Sequence, residues 1–400
     1  MHAMHAILIK GVSQYGVLRL FVDELAEAFS RAGVRPVVID AQQPDALVTA
    51  LEDRSLYGAR LVFTFNILGE ALHGDRPIGD VFGAPHIIQY VDHPLAHTDK
   101  LDGTTGDAGL LFVDATHAEA VERAYGPDRF AHLGFCPHAA IGEARAPDPD
   151  PQAFLERRPI PILFSGSIFD PGPRPWAAFD DVVRRIHDAA FDIAMGEEWT
   201  PAHDAFAMAM RGFGLDPADL RWRLLHKGAG LVHQHVRMHR RLMVLKAAAR
   251  LGLPIHACGR GYEPWLETFG AITHLGSLDV AESIAAMARS RVLLNVNANF
   301  GGGSHERVFT AMKAGAAVAS DASTYYRSQF QPGAEIVFYR WGQLDSDLER
   351  IGALAENPEA GFALARAGQA EALMHHAWNH RVPVILDAAD KVRRRLNERA

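Results

Sequence analysis

Residues 291–321 have the sequence RVLLNVNANFGGGSHERVFTAMKAGAAVASD, from which the architecture of the chain can be inferred. The segment opens with the apolar run Val292–Val296, which is typical of a buried parallel strand. Three glycines follow, and Ser304–Met312 then has a helical pattern that stops at Gly315, where a left-handed residue can end a helix. A second short apolar run leads to Asp321. This order predicts one βαβ unit whose glycine loop lies at the carboxyl edge of a parallel sheet, where open α/β folds bind ligands.

The start of the predicted helix contains a residue that is unfavourable there. Ser304 is a good N-cap and Glu306 suits the positive end of the helix dipole, but Arg307 stands where a capping box would have Glu or Gln. A cation at this end of the helix becomes favourable if an anion also binds there. Backbone N–H groups and Arg307 would hold that anion together. The glycines 301–303 would let that anion reach the backbone. The alternative is that Arg307 only pairs with an acidic neighbour such as Glu306.

The glycine loop and the helix after it resemble the nucleotide-sugar site of GT-B glycosyltransferases, most closely the branch that includes the spore-maturation protein CgeB. The residues that carry the resemblance are Ser304-x-x-Arg307-x-Phe309-x-Ala311-Met312-x-x-Gly315, followed by a small apolar strand and Ser320-Asp321. The likeness extends from about Pro161 through Leu386. It implies an α/β protein of two Rossmann-like domains that face a central cleft. The donor would bind in the second domain and the acceptor on the first, and C-terminal helices would cross back to the first domain.

One position departs from the family pattern. Relatives usually have Phe-Glu-Ala where this chain has Phe309-Thr310-Ala311, and that glutamate typically holds the donor ribose. Thr310 can supply one hydroxyl bond but no charge, which leaves the choice of donor open.

The composition limits the classes of protein to which this chain can belong. The chain has 400 residues, 48% of them hydrophobic, which is enough for two domains with buried cores. A net charge of -8 argues against a general nucleic-acid binder. The two cysteines, Cys136 and Cys258, cannot build a disulfide framework, as is typical of a reducing compartment. Met1–Lys10 has the pattern of a short strand rather than a signal peptide, and no segment is long and apolar enough to span a membrane. We therefore expect a cytoplasmic protein.

The alternation of strand and helix patterns predicts a parallel sheet in each domain. We expect the first domain at residues 1–150, ending in the proline-rich stretch ARAPDPDP at 144–151. The donor domain would occupy residues 160–370 with a helical insertion at 175–249. Residues 371–400 would be the C-terminal helices that pack back on the first domain.

The informative loop of the first domain is Asp92–His97, directly after a predicted strand. Polar groups at the carboxyl end of a strand lie on the ligand-binding edge, and relatives have a similar Asp-rich, Pro-containing stretch here. Asp92 or His93 would take the acceptor proton if the anomeric centre inverts. The alternative is a turn in which Asp92 caps backbone amides and Pro94 fixes the bend. His138, after Cys136-Pro137, would contact donor or acceptor through the resemblance, or would be structural.

The second domain contains three further loops that the resemblance places at the donor. They are the Ser-Gly-Ser turn at 165–167, the Gly-x-Gly turn at 259–261 and the strand end at 275–276. The residues assigned to catalysis are Asp92, His93 and Arg307. The residues assigned to the donor are Ser165, Gly166, Ser167, Gly259, Gly261, Leu275, Gly276, Gly301, Gly302, Gly303, Ser304, Arg307, Phe309 and Thr310. The residues assigned to the acceptor side are Gln14, Tyr15, His97 and His138.

We predict no metal site and no cofactor. Asp345-x-Asp347 has the spacing of the Asp-x-Asp metal motif, but it precedes a helical pattern at Leu348–Ala355, where an N-cap explains it better. The leaving diphosphate would instead be stabilised by loop amides, the helix dipole and Arg307.

The sequence therefore predicts transfer of a sugar from a nucleotide-diphospho-sugar to a hydroxyl or amine of a glycan, protein or lipid-linked acceptor. One alternative is a non-catalytic two-domain ligand binder, which Thr310 favours. Another is a nucleotide-linked dehydrogenase, but Gly11 and Gly16 lack the Gly-x-Gly-x-x-Gly spacing after the first strand. The oligomeric state is not predicted.

Overall fold

The computed structural model describes residues 5–66, 76–196, 200–297 and 300–399. The chain forms two compact units, Met1–His138 with Ala377–Ala400, and Ala139–His376. The boundary between the two units after His138 precedes the proline-rich stretch 144–151, so this stretch lies in the second unit. The carbonyl oxygen of Arg145 accepts a hydrogen bond from Gln369 Nε2 at 2.8 Å, which fixes that stretch to its own unit.

The first unit is a six-stranded parallel sheet of order β2-β1-β3-β4-β5-β6. Its strands are β1 His5–Lys10, β2 Arg35–Asp40, β3 Leu61–Phe65, β4 His86–Tyr90, β5 Gly109–Phe112 and β6 His132–Phe135. Its first five helices are α1 Val17–Arg31, α2 Ala46–Glu52, α3 Ile78–Phe82, α4 Thr98–Gly103 and α5 His117–Tyr125. Every residue of β3 and β4 is buried, as expected for central strands covered on both faces.

The second unit is also a six-stranded parallel sheet, of order β12-β11-β10-β7-β8-β9. Its strands are β7 Ile160–Ser165, β8 Ile255–Cys258, β9 Thr273–His274, β10 Ser290–Asn295, β11 Ala317–Asp321 and β12 Val337–Tyr339. Its helices are α6 Pro151–Arg157, α7 Asp181–Ala194, α8 Ala202–Gly212, α9 Arg223–His226, α10 Ala229–Arg250, α11 Leu266–Phe269, α12 Val280–Ala288, α13 Glu306–Lys313, α14 Thr324–Gln329, α15 Leu344–Glu356 and α16 Pro358–His375.

The last helix, α17 Val382–Arg399, belongs to the first unit. Just before it, the Trp378 ring lies 5.3 Å from that of Phe21 and 5.7 Å from that of Phe65. The Arg381 guanidinium donates to the carbonyl oxygens of Pro137 and His138 at 3.0 and 2.8 Å. These contacts fix the C-terminal segment to the end of the first sheet.

The predicted fold class is confirmed, since both units are parallel six-stranded sheets with flanking helices. In the described part of the segment between β7 and β8 lie the helices α7 to α10. Among the described helices, none combines the length and the apolar character that crossing a bilayer requires.

Candidate active site

The glycine loop is held in place from its far side. The carbonyl oxygen of Gly301 accepts from the backbone N–H of Thr324 at 2.8 Å, and that of Gly303 accepts from Ser323 Oγ at 2.7 Å. Ser323 is also the N-cap of α14, where its hydroxyl accepts from Tyr326 N. The backbone at Gly301 and Gly303 is therefore fixed to the start of α14.

The start of α13 differs from the prediction. The helix begins at Glu306 and its N-cap is His305, so the assignment of Ser304 as N-cap is wrong. His305 is extended, and its backbone N–H donates to Tyr326 Oη at 2.8 Å. Arg307 is the second residue of the helix, and a capping-box position is not involved. A cation in the first turn still faces the positive end of the helix dipole.

Arg307 reaches across to another loop of the same unit. Its Nη1 donates to the carbonyl oxygen of Ser165 at 2.5 Å. The next two carbonyls of this turn also accept from side chains. Tyr262 Oη donates to Gly166 O at 2.7 Å, and Arg241 Nη1 donates to Ser167 O at 2.8 Å. Each of the three carbonyl oxygens of the turn at 165–167 thus accepts a hydrogen bond from a side chain, and two of the three donors are cations.

Both guanidinium groups meet at Gly166. A Cβ at this position would lie 3.1 Å from Arg307 Nη1 and 3.6 Å from the Arg241 Cζ atom. Two neighbouring cations repel each other, and an anion bound beside them removes that repulsion. The pair therefore provides a basic centre at the carboxyl edge of the second sheet. The sequence indicated Arg307 but not Arg241, which lies in a basic run that looks like an ordinary solvated helix face.

The Gly-x-Gly turn packs directly on the same loop. Gly259 has φ 134°, and a Cβ there would lie 2.7 Å from the Ser167 nitrogen; Gly261 has φ 86°, and its Cβ would lie 1.8 Å from Ile168 O. Only glycine fits at these two positions. Gly259 N donates to Gly276 O at 2.9 Å, which brings the end of β9 to the same edge. The predicted loops 165–167, 259–261 and 275–276 are neighbours, and their contact with a nucleotide stays a prediction.

Asp321 anchors the start of the glycine loop. Its carboxylate is buried at the end of β11 and accepts from the backbone N–H of Asn297. Tyr339 Oη lies 3.5 Å from the same carboxylate and 2.9 Å from Asn295 O. Burial raises the pKa of Asp321 to about 6, partly offset by its hydrogen bonds. The loop conformation thus depends on a carboxylate in an environment that disfavours its charge.

Phe309 and Thr310 lie inside the second unit rather than on its surface. The Phe309 ring stacks on His376 with centroids 4.3 Å apart. Thr310 is 2% exposed, and its Oγ1 accepts from the backbone N–H of Ile141 at 3.2 Å. In this conformation both side chains have structural partners, and their assignment to the donor stays a prediction.

The polar side chains of the Asp92–His97 loop in the first unit differ in how deeply they are buried. His93 is 1% exposed, and its Nδ1 accepts from Leu95 N at 3.3 Å, which makes it an N-cap. The side chains of Asp92 and His97 are 42% and 25% exposed, and Asp92 Oδ2 lies 3.5 Å from His97 Nε2. Asn66, at the end of β3, donates from Nδ2 to the same Asp92 oxygen at 3.1 Å.

The other residues assigned to the acceptor side lie in two places. Gln14 is exposed and Tyr15 half-buried in a turn after β1, where Tyr15 has φ 60°. His138 is buried, with its ring 6.2 Å from that of Phe21 and its carbonyl held by Arg381. A ligand contact of these residues stays a prediction.

The Asp-x-Asp segment has a structural explanation that differs in detail from the predicted one. Helix α15 begins at Leu344, so Asp345 and Asp347 lie in its first turn and are not N-caps. Asp347 is buried and forms ion pairs with Arg340 and Arg350 at 2.9 and 2.7 Å. Across the part of the chain that the structure describes, no three His, Cys, Asp or Glu side chains are grouped to hold a metal ion.

Two six-stranded parallel sheets with flanking helices, one in each unit, are typical of the GT-B fold. Solved structures with this fold include sucrose-phosphate synthase from Thermosynechococcus elongatus, which is 14% identical with a TM-score of 0.53 over 99% of this chain and 100% of that one. Anabaena HepE in complex with UDP-glucose is 10% identical with a TM-score of 0.50, over 98% and 99% of the chains. An alpha-glucosyltransferase in complex with UDP and a 13-mer DNA containing an HMU base is 9% identical with a TM-score of 0.50, over 96% and 99%.

Residues 237–387 match the model of a family described as glycosyl transferase-like. This segment contains α13, the glycine loop and Arg241. No match was found among curated protein sequences. The resemblance to GT-B glycosyltransferases is thereby confirmed, and the CgeB branch stays a prediction.

Proposed function

We propose that this protein transfers a sugar from a nucleotide-diphospho-sugar to a hydroxyl or amine group of an acceptor. The observation that carries the proposal is the convergence of Arg307 and Arg241 on Gly166, beside the glycine loop. Negative charge develops on the departing diphosphate, and preorganised cations at that point stabilise the transition state.

The second unit would bind the donor. The first turn of α13 presents backbone N–H groups, and Arg307 lies in that turn. Arg241, on α10, donates to the last carbonyl of the turn at 165–167. These groups would stabilise the leaving diphosphate without a divalent metal, which supports a metal-independent reaction.

The donor nucleotide is proposed from the comparisons. Two structures with this fold are complexes with UDP-glucose or UDP, which makes UDP the first nucleotide to test. The acceptor would be a glycan, a protein or a lipid-linked molecule. The cytoplasmic location expected from the two cysteines also stays a prediction.

A panel of nucleotide-sugars, each incubated with the protein in excess chelator, tests the proposal. We expect release of nucleoside diphosphate with at least one donor, and a release rate that magnesium does not raise. Release only with added magnesium or manganese would contradict the metal-independent account. No release with any donor, with or without metal, would contradict the enzymatic function.

A non-catalytic ligand binder remains the second candidate. One observation favours it: the Thr310 hydroxyl, which stands where relatives have a ribose-binding glutamate, is bonded to Ile141 N. A nucleotide-sugar that binds by calorimetry without any release of nucleoside diphosphate would support this alternative.

A further inference from the structure

A series of buried hydrogen bonds connects Asp321 to the glycine loop. The Asp321 carboxylate, at the end of β11, accepts from the backbone N–H of Asn297. Asn297 is bonded in turn to Phe300, the residue before the first loop glycine. Asn297 Nδ2 donates to Phe300 O at 2.9 Å, and the carbonyl of Asn297 accepts from Phe300 N at 3.0 Å. The path of the chain into Gly301 is therefore fixed through Asn297.

Asn297 also connects Asp321 to the start of α13. Tyr326 Oη donates to Asn297 Oδ1 at 3.3 Å and accepts from the backbone N–H of His305 at 2.8 Å. His305 is the N-cap of α13, two residues before Arg307. One carboxylate thus supports, through Asn297, both the entry to the glycine loop and the start of the helix that carries Arg307.

A buried cation lies near the same carboxylate. The Arg240 guanidinium, on α10, lies 4.2 Å from the centre of the Trp341 ring, which packs edge-on at 5.4 Å against the ring of Tyr339. Tyr339 Oη lies 3.5 Å from Asp321 Oδ1. Arg240 Nη2 also donates to Gly196 O at 2.5 Å. An aromatic face and a backbone carbonyl therefore fix the position of this cation.

Burial and Arg240 act on Asp321 in opposite directions. Burial raises the pKa of the Asp321 carboxyl to about 6, and the Arg240 charge limits that rise. The interaction is mutual, because burial lowers the pKa of Arg240 and the Asp321 carboxylate opposes that change. Two further titratable groups interact with Asp321, namely Tyr339 on β12 and Tyr326 on α14. Burial raises the pKa of both hydroxyls well above the usual value, so both stay neutral.

We propose that Asp321 is a positioning residue of the donor site and that Arg240 acts through it. The ionised carboxylate holds Asn297, which places the glycine loop and the first turn of α13 where they bind the diphosphate of the donor. This inference rests on the proposed function, because it concerns the same site. Protonation of Asp321 weakens its hydrogen bond to Asn297, so donor affinity falls as the pH decreases through about 6.

The proton on Asp321 has two effects of opposite sign. Because burial raises the pKa of this carboxyl in the folded protein, protonation stabilises the fold. Because the charged carboxylate holds Asn297, the same proton weakens donor binding. A purely structural role would instead change stability and donor affinity in the same direction.

Titration of UDP by calorimetry between pH 5 and pH 8, in excess chelator, tests the inference with wild-type protein and Asp321→Asn. The amide resembles the protonated carboxyl and does not titrate, and the ratio of the two affinities removes the titration of UDP itself. We expect the wild-type protein to bind UDP roughly tenfold more tightly than Asp321→Asn at pH 8. At pH 5 the two affinities should agree within about twofold.

Arg240→Gln and Arg240→Lys separate charge from hydrogen bonding, because glutamine keeps an N–H donor and lysine keeps the charge. We expect the fall in UDP affinity to begin at higher pH in Arg240→Gln and near the wild-type pH in Arg240→Lys. Combined with Asp321→Asn, the Arg240→Gln change should have no further effect on the pH dependence, since it acts through the carboxylate.

Asp347→Asn is the matched control for loss of a carboxylate. Asp347 is also buried in the second unit, where it pairs with Arg340 and Arg350. We expect this variant to bind UDP like the wild-type protein at every pH. Thermal unfolding establishes that each variant is folded.

Equal or tighter binding of UDP by Asp321→Asn at pH 8 would overturn the inference, as would an affinity ratio that does not change with pH. Amide hydrogen exchange of the segment that contains Asn297 and Phe300 is a readout that does not require UDP. It should be faster in Asp321→Asn than in the wild-type protein at pH 8. If the wild-type protein binds no UDP but the exchange differs in this way, the proposed donor site fails while the positioning of the loop stands. Equal exchange in both proteins would overturn the positioning role.

Discussion

Arg307 Nη1 lies 2.5 Å from the carbonyl oxygen of Ser165, a contact that joins residues 142 positions apart in the chain. The first turn of α13 and the turn after β7 are thereby connected at the carboxyl edge of the second sheet. Arg241 approaches the same turn, and its guanidinium carbon would lie 3.6 Å from a Cβ on Gly166. The absence of a side chain at residue 166 is what allows both cations to approach.

Gly166→Ala tests this arrangement. The new methyl group would lie 3.1 Å from Arg307 Nη1, so the guanidinium has to move. A hydrogen bond to a charged group contributes about 1.5–3 kcal/mol, so we expect donor affinity to fall roughly tenfold or more by calorimetry.

Gly212→Ala is the matched control. A Cβ at residue 212 meets no atom within 4 Å, and the residue ends α8 in the same unit. We expect unchanged donor affinity and a free energy of unfolding that rises by about 0.4–1 kcal/mol. Equal donor affinity in both variants would mean that the position of Arg307 has no effect on binding.

Thr310→Val separates a structural role from a donor contact at residue 310. Valine keeps the shape but leaves the buried N–H of Ile141 without its acceptor, which costs about 1–3 kcal/mol in the free energy of unfolding. Thr310→Ser keeps the hydroxyl and serves as the control. We expect a loss of stability in Thr310→Val with retained donor affinity in urea unfolding and calorimetry. Lower donor affinity with unchanged stability would assign Thr310 to the donor instead.

Asp321→Asn tests the buried carboxylate through its pH dependence. Burial raises the pKa in the folded state from 3.8 to about 6, so the folded protein binds this proton more tightly than the unfolded chain. The stabilising effect of the proton is complete below the unfolded pKa and is lost as the pH rises through the folded pKa. The wild-type protein should therefore lose up to roughly 3 kcal/mol between pH 4 and 7, relative to Asp321→Asn.

Urea unfolding of the two proteins across that pH range measures the difference. The amide of Asn does not titrate, so any constant cost of the substitution leaves the slope unaffected. A difference that is flat with pH would show that Asp321 does not titrate in this range in the folded state.

The sequence predicted those features that depend on local pattern. The apolar run that begins at Val292 lies in a buried parallel strand, β10, as its composition indicated. The resemblance placed the turns at 165–167 and 259–261 at one site, and in the structure these two turns are in contact. Pairings between distant residues were missed, because no local pattern encodes them. The residue before α13 is bonded to Tyr326, and the Thr310 hydroxyl is bonded to Ile141. The basic centre requires Arg241, which lies far from Arg307 in the sequence. Asn66 was missed for the same reason, since its side chain bonds to Val91 and Asp92, which directly follow a different strand, β4.

The central claim is that the charge of Arg307 binds the diphosphate of the donor. Titration of UDP by calorimetry in excess chelator, with wild-type protein, Arg307→Gln and Arg307→Lys, tests it most directly. Glutamine keeps an N–H donor without the charge, and lysine keeps the charge. The account predicts that UDP binds the wild-type protein without metal, roughly tenfold or more weakly to Arg307→Gln, and with intermediate affinity to Arg307→Lys. Equal affinity of UDP for the wild-type protein and a folded Arg307→Gln variant would contradict it.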